Sequence, residues 1–446
     1  LGPFVAVVLA CLPILLARAS SPGLLEDTDT RVLLTVIRQR QDPLSWFTGD
    51  WPLSNHFYRP ISTLFFELDN RLYGSNAAGY GLTNALLCVA CVLLLFWFLR
   101  ELTDRPLVAG AGGVLVGLWR VGYHNSFAQL ATVLAIVAGF GGFFRHGLRL
   151  DRFLPAVLVF LATGTLVHYG SIYSGVVAWL PGRTASVMTV FCLIAMAAYA
   201  RYERLGAARV VSEPTPLDPP ATRTTQASEG LRQRPIWAVV AVLATALALG
   251  SYEQAVMLPA TLVGVAVILR WQGFRPRWGW QAAFWGVLGG YLFLRYQLVP
   301  SDTSGYQKQQ LRFGPGVLLT LTEYTLPFLG GLSGFRVQLE TGIVMLLTAA
   351  PWIYVLETVS QVTAFYQARR RLALTAGGFG LAFLAFLPMA WLKPFDHYHY
   401  WPLAMRSLLI VGLFAVGLEL LVSAWSPRGR SAPPRPAPAP GSLPRP

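Results

Sequence analysis

The chain has 446 residues, 54% of them hydrophobic and only 13% charged, with a mean hydropathy of +0.50. That excludes an ordinary soluble domain and predicts an all-α integral membrane protein, because a bilayer core leaves a spanning chain no partners for its backbone except its own. The formal net charge of +14 would suit nucleic acid, but the arginines lie in short loops between apolar spans, where the positive-inside rule accounts for them, and no nucleic-acid partner is expected.

Residues 1–19 form the first apolar segment and end in Ala17-Arg18-Ala19. That ending fits a cleaved signal peptide, but the ten or more spans that follow favour a first membrane helix, and either way residue 20 emerges outside. Residues 20–80 then form a long outer loop rich in charge and aromatic rings. They carry seven of the 21 acidic residues, among them the cluster Glu26, Asp27 and Asp29.

Apolar spans follow over 81–99, 107–119, 127–144, 153–168, 184–200, 236–250, 253–270, 279–298, 341–361, 372–391 and 401–425, about twelve transmembrane helices with the first. The arginine groups at 145–152, 201–204, 232–234, 270–277, 369–371 and 428–430 all become cytoplasmic together if 20–80 is outside. Parity then requires 315–334 to be interfacial or re-entrant. The chain therefore divides into an N-terminal membrane half, 1–202, containing the outer loop, and a C-terminal half, 236–426. Between them, 203–235 reads as a disordered cytoplasmic linker, and the Pro-rich 427–446 reads as a flexible tail.

This topology gathers polar groups on the outer face: the 20–80 loop, 123–125, 168–183, 251–253, 300–314 and 393–401. Both lysines of the chain, Lys308 and Lys393, are among them. The cysteines Cys11, Cys88, Cys91 and Cys192 fall in apolar spans, which suits neither a disulfide framework nor a zinc site. His397 and His399 lack an obvious third ligand, so no metal is expected. No phosphate-binding glycine loop or metalloprotease motif is present.

Several segments resemble the GT-C class of membrane glycosyltransferases, in particular the polyprenyl- and dolichyl-phosphate-mannose-dependent O-mannosyltransferases and their bacterial counterparts. Tyr58-Arg59-Pro60-Ile61, Leu68-Asp69, Leu72-Tyr73-Gly74 and Gly79-Tyr80-Gly81-Leu82-Thr83-Asn84 are similar to that group's YRPL…LD…LFG…GYHLxN block. Trp179-Leu180-Pro181-Gly182-Arg183-Thr184, Ser251-Tyr252-Glu253 and His397-Tyr398-His399-Tyr400-Trp401-Pro402 resemble its later motifs, in the same order. Tyr252 replaces the usual lysine, His397 an arginine and Cys88 a histidine, and the acidic pair is Glu26-Asp27.

The resemblance implies a multi-pass protein of a bacterial plasma (inner) membrane, with its site on the outer face among membrane lipids. The donor would be a polyprenyl-phosphate-linked sugar and the acceptor a hydroxyl of a protein, lipid or polysaccharide. Inverting transfer needs a carboxylate to take the acceptor proton and cations to receive the lipid phosphate; no cofactor or metal is required. Asp27 is the favoured base, with Glu26 and Asp29 beside it. A helix over 26–34 would put Glu26 and Asp29 on one face and leave Asp27 free to face substrate. Candidate substrate contacts are Tyr58, Arg59, Arg183, Glu253, Lys308, Lys393, His397 and Tyr398. The alternatives are a transporter or flippase for a sugar or lipid-linked sugar, which would place ionisable residues near the bilayer midplane, and an inactive assembly partner.

Overall fold

The computed structural model describes residues 1–40, 42–119, 172–211, 220–325, 365–393 and 395–425. Among them every regular element is helical, and the only strand-like pairing is an isolated antiparallel bridge between Leu311 and Leu392. The helices are α1 (Gly2–Leu16), α2 (Thr28–Arg40), α3 (Pro60–Tyr73), α4 (Ala77–Thr103), α5 (Pro106–Trp119), α6 (Ile172–Val177) and α7 (Arg183–Val211). They continue with α8 (Pro220–Leu249), α9 (Leu258–Trp271), α10 (Gly279–Leu298), α11 (Gly305–Gln310), α12 (Pro315–Thr325), α13 (Phe365–Phe386) and α14 (Tyr400–Trp425).

Among the described residues, three stretches are long and apolar enough to cross a membrane: Ala77–Thr103, Leu180–Gly206 and Glu253–Trp271. Gly2–Leu16, Pro106–Gly117, Pro235–Leu249 and Leu374–Met389 are apolar but shorter. The spans expected at 127–144, 153–168 and 341–361 and the tail at 427–446 lie outside the described residues, as does 123–125. Of the expected re-entrant segment, α12 covers 315–325 and the rest lies outside them.

One expectation is corrected. The linker at 203–235 is helical at both ends, since α7 runs on to Val211 and α8 starts at Pro220; 212–219 lies outside the described residues. The physical reason is composition: Arg, Glu, Ala and Leu over 201–208, and Ala, Gln, Glu and Arg over 221–234, are good helix formers whatever their polarity.

The bundle is built around α7, which packs against α4, α8, α9 and α14. Val187, Met188, Leu193, Met196, Ala197 and Ala200 point in different directions around the helix and all are buried, so this part of α7 is enclosed on every side, as an interior helix is. α1 packs against α4 and α5. A Cβ on Gly110 or Gly113 of α5 would meet Pro3 or Val7 of α1 at 2.7 and 2.8 Å, so these small residues set how closely the two helices approach.

Residues 20–76 form a cap with its own core. In α2 the buried residues Thr30, Leu33, Leu34 and Ile37 follow the i, i+3, i+4, i+7 stripe of an amphipathic helix. They join Trp46, Trp51, Phe66 and Tyr80 in a separate apolar cluster.

A buried guanidinium ties this cap to the bundle at one point. Arg183, fully buried at the start of α7, donates to Asp69 Oδ2 (2.6 Å) on α3 and to Asn84 Oδ1 (2.6 Å) and the Tyr80 carbonyl (3.0 Å) on α4. Thr83 donates to Asp69 Oδ1 (2.8 Å), and Asn84 donates to the Val177 carbonyl (2.8 Å). Beside them, a Cβ on Gly81 would run into the Ala19 carbonyl oxygen, so only glycine lets the chain leaving α1 pass across α4.

At the other end of the same two helices, Glu101 accepts from Arg201 (2.8 Å) and from Trp97 Nε1 (3.2 Å). Asn84 and Glu101 are about 25 Å apart along α4 at 1.5 Å per residue, close to the thickness of a bilayer's hydrocarbon core. Breaking a buried ion pair by removing one partner leaves the other charge stranded. Asp69→Asn and Arg183→Gln should each destabilise the fold by about 3–5 kcal/mol, read as a fall in thermal unfolding midpoint. Wild-type midpoints in both would show that the pair does not hold the cap.

Candidate functional site

The site begins with a turn held by one carboxylate. Asp50 accepts backbone N–H groups from Trp51 (2.7 Å), Phe57 (2.9 Å) and His56 (3.0 Å), and the chain closes this loop through positive φ angles at Ser54 and His56. The turn delivers Arg59 to the N-terminus of α3. There the Ile61 N–H donates to the Gly250 carbonyl (2.9 Å) and the Ser62 hydroxyl to the Ser251 carbonyl (2.8 Å), stitching α3 to the segment after α8.

Arg59 meets Glu253 across this seam, with Nη2 at 2.6 Å and Nε at 2.7 Å from Glu253 Oε2. Its guanidinium lies over Phe57 (4.1 Å), Tyr252 (4.4 Å) and Trp51 (5.2 Å). Tyr252 in turn neighbours His397 (6.2 Å) and Tyr398 (6.5 Å), and His397 packs beside Trp179 at 5.2 Å. Gln254 holds the 395–399 turn in place by donating to the Tyr398 carbonyl (2.9 Å) and the Ala385 carbonyl (2.8 Å).

Burial pulls the Arg59 guanidinium toward neutrality, but Glu253 and the surrounding tyrosines outweigh it, so its pKa stands above the ordinary value. His397 has no such compensation. Burial, then the nearby Arg59 charge, lower its pKa to about 3, so the imidazole is neutral at physiological pH.

A cavity of about 400 Å³ adjoins the pair, within the range of ligand sites. Its lining mixes polar residues, among them Glu253, Arg295, Tyr306, Gln307 and Tyr398, with apolar ones such as Val256, Leu292, Leu311, Met389 and Leu392. Glu253 Oε1, the oxygen not held by Arg59, is buried without a hydrogen bond. A second hollow of about 370 Å³ lies between α2 and α3, but its cations are engaged: Arg38 with Asn70 and the Gly74 carbonyl, Arg71 with Glu67.

The sequence candidates separate on this geometry. Arg59, Glu253, His397 and Tyr398 come together. Lys308 and Lys393 are exposed and flank the cavity, because the Lys393 N–H donates to the Gln310 carbonyl (2.9 Å) and each lysine adjoins a lining residue. Tyr58 is buried, with its hydroxyl on the Phe47 carbonyl (3.0 Å), and packs against Tyr291. Arg183 is corrected: its charge is spent inside the fold on Asp69 and Asn84, where no donor phosphate reaches it.

The acidic cluster is also rearranged. The helix starts at Thr28 rather than 26, and Asp27 caps it, one oxygen accepting from the Thr30 N–H (3.1 Å) and the other from the Thr30 hydroxyl. Glu26 precedes the helix and is exposed. Asp29 is exposed in the first turn. Partial loss of water around its carboxyl, then the Asp27 charge, raise its pKa above the ordinary carboxylate value, and its own charge adds to the burial that raises the Tyr306 phenol at the cavity wall.

Sequence reasoning missed Arg295 and Tyr306. Arg295 carried a usable signal, being the only charge in the apolar stretch 279–298. Among the described residues no group of three His, Cys, Asp or Glu side chains is placed to hold a metal. Comparison of the chain with protein-family models, with curated proteins and with solved structures gives no match.

The cap geometry makes a specific prediction. Asp27→Ala should cost about 1 kcal/mol of stability, while Asp27→Asn, an equally good cap, should cost almost nothing. Thermal unfolding of the two variants checks this; equal losses would remove the capping role.

Proposed function

We propose that the chain is a GT-C-like glycosyltransferase that moves a sugar, with inversion, from a polyprenyl-phosphate donor to an acceptor hydroxyl on the outer face of a bacterial plasma membrane. It would cross that membrane about twelve times, with 20–80 as the outer segment. The observation that carries the reading is convergence. Tyr58-Arg59-Pro60, Trp179, Ser251-Tyr252-Glu253 and His397-Tyr398, the segments that resemble the family's motifs, meet around the Arg59–Glu253 pair beside a cavity lined by both polar and apolar residues.

The chemistry assigns roles. The acceptor oxygen bonds to the anomeric carbon as the carbon–oxygen bond to phosphate breaks, and a carboxylate takes the acceptor proton. Asp29 suits that task best of its cluster, because its oxygens, unlike those of Asp27, are not committed to the cap, and its raised pKa favours proton uptake. Arg295, which lines the cavity, and the exposed Lys308 and Lys393 near it are the cations that would receive the departing phosphate. The apolar lining residues would suit the first isoprene units.

Asp29→Asn should lower turnover about 10²- to 10⁴-fold, measured as release of lipid phosphate from polyprenyl-phosphate sugars. In the wild type, turnover should fall as pH drops through the raised Asp29 pKa, since the base works only when ionised, and no limb should come from His397. Normal turnover in Asp29→Asn would remove it as base. Passage of the lipid-linked sugar across the membrane without cleavage would make the protein a flippase.

Orientation has its own test, simplified because all four native cysteines are buried. An impermeant thiol reagent applied to intact cells should label Gly305→Cys and not Arg275→Cys. The opposite pattern would place the site on the inner face.

A further inference from the structure

We infer that the cavity bounded by α10, α11 and the turn at 387–392 is the seat of a hydroxyl-rich ring, and that Gln310, together with Glu253, selects which hydroxyl pattern enters. This rests on the glycosyl-transfer reading for its biological meaning, but not for its geometry. Two residues that line the cavity, Glu253 and Gln310, each carry a buried side-chain oxygen with no hydrogen bond. Buried polar atoms are almost always paired in a folded protein, so two orphans on one cavity point to a partner supplied from outside.

The chemistry of that partner follows from what the wall offers. Glu253 Oε1 is an acceptor and needs a donor. Its companion oxygen is already occupied by Arg59, so the free one is not available to another protein cation. The Gln310 amide offers an acceptor at one end and a donor at the other. A hydroxyl can satisfy either, because it both donates and accepts. Phe57, Tyr306 and Trp391 add aromatic faces suited to the C–H surface of a sugar ring, with Phe57 and Tyr306 edge to face at 6.3 Å. A phosphate alone, received by Arg295, would leave the Glu253 oxygen unsatisfied, since a carboxylate oxygen needs a donor.

Gln310 is held ready for this role by its backbone rather than by its side chain. Its carbonyl accepts from Lys393, and the next residue, Leu311, bridges to Leu392. The backbone at Gln310 is thereby fixed at the junction of two segments, and its amide oxygen makes no hydrogen bond.

The test uses the purified full chain in a detergent without sugar headgroups. Methyl α-mannoside, glucoside and galactoside are titrated by calorimetry, alongside citronellyl-phosphate mannoside and citronellyl phosphate alone. At least one methyl glycoside should saturate the wild type. Gln310→Leu, which keeps the shape and removes the amide, should weaken it about three- to tenfold, and Gln310→Glu, which keeps an acceptor, should restore most of that loss. Leu292→Trp, introduced from α10, should narrow the cavity and weaken binding without touching either oxygen.

Weakening confined to the lipid-borne sugar assigns the ring to the donor, and weakening confined to the methyl glycosides assigns it to the acceptor; either supports the inference. It is overturned if no methyl glycoside or lipid-borne sugar binds, if Gln310→Leu binds both as the wild type does, or if Gln310→Leu weakens citronellyl phosphate as much as the sugars. Sugar binding without any cleavage of donor would leave this inference standing and remove the transferase reading instead.

Discussion

The Arg183–Asp69 ion pair is the constraint on which the arrangement of this protein depends. Taking two charges out of water costs several kcal/mol for each, and close approach alone repays little of it. Here the debt is met by saturation: the guanidinium reaches a carboxylate, an amide oxygen and a backbone carbonyl, while Thr83 supplies the carboxylate with a further donor. Satisfied in this way, the pair demands one relative placement of α3, α4 and α7. An apolar contact in its place would hold the same helices but tolerate sliding.

That placement has consequences along the bundle. With Arg183 and Asn84 at one end and Glu101 and Arg201 at the other, the intervening lengths of α4 and α7 carry buried side chains that are mostly apolar, none of them charged. Charges therefore mark both ends of a bilayer-sized interior. The cap sits beyond one of these ends, and so do the Arg59–Glu253 pair and the cavity.

The two ion pairs differ in what they leave over. Arg183 and Asp69 are enclosed, and the fold supplies their partners. Glu253 is less enclosed, shares only one oxygen with Arg59 and leaves the other unpaired beside open volume. An enclosed, saturated pair serves architecture. A pair that fixes a carboxylate's position while leaving one acceptor free has the form of a preorganised binding group.

Much was legible from sequence. Hydropathy alone called for helices, because an apolar chain in lipid must satisfy its backbone internally, whereas the helix Thr28–Arg40 lies in a stretch that reads as an outer loop. The motif-like segments also singled out Arg59, Glu253, His397 and Tyr398. Tertiary structure alone decided which polar residues face inward. Asp27 and Asp29 are indistinguishable in composition, yet one is drawn onto a helix terminus by the unpaired N–H groups of the first turn and the other is not. Arg183 and Arg59 both belong to segments that resemble motifs, but three helices close around the first and a cavity opens beside the second. Arg295 and Gln310 lie in unrelated stretches and share a wall only because α10 and α11 meet there. Such distinctions depend on which neighbours arrive through space, and spacing along the chain does not encode that.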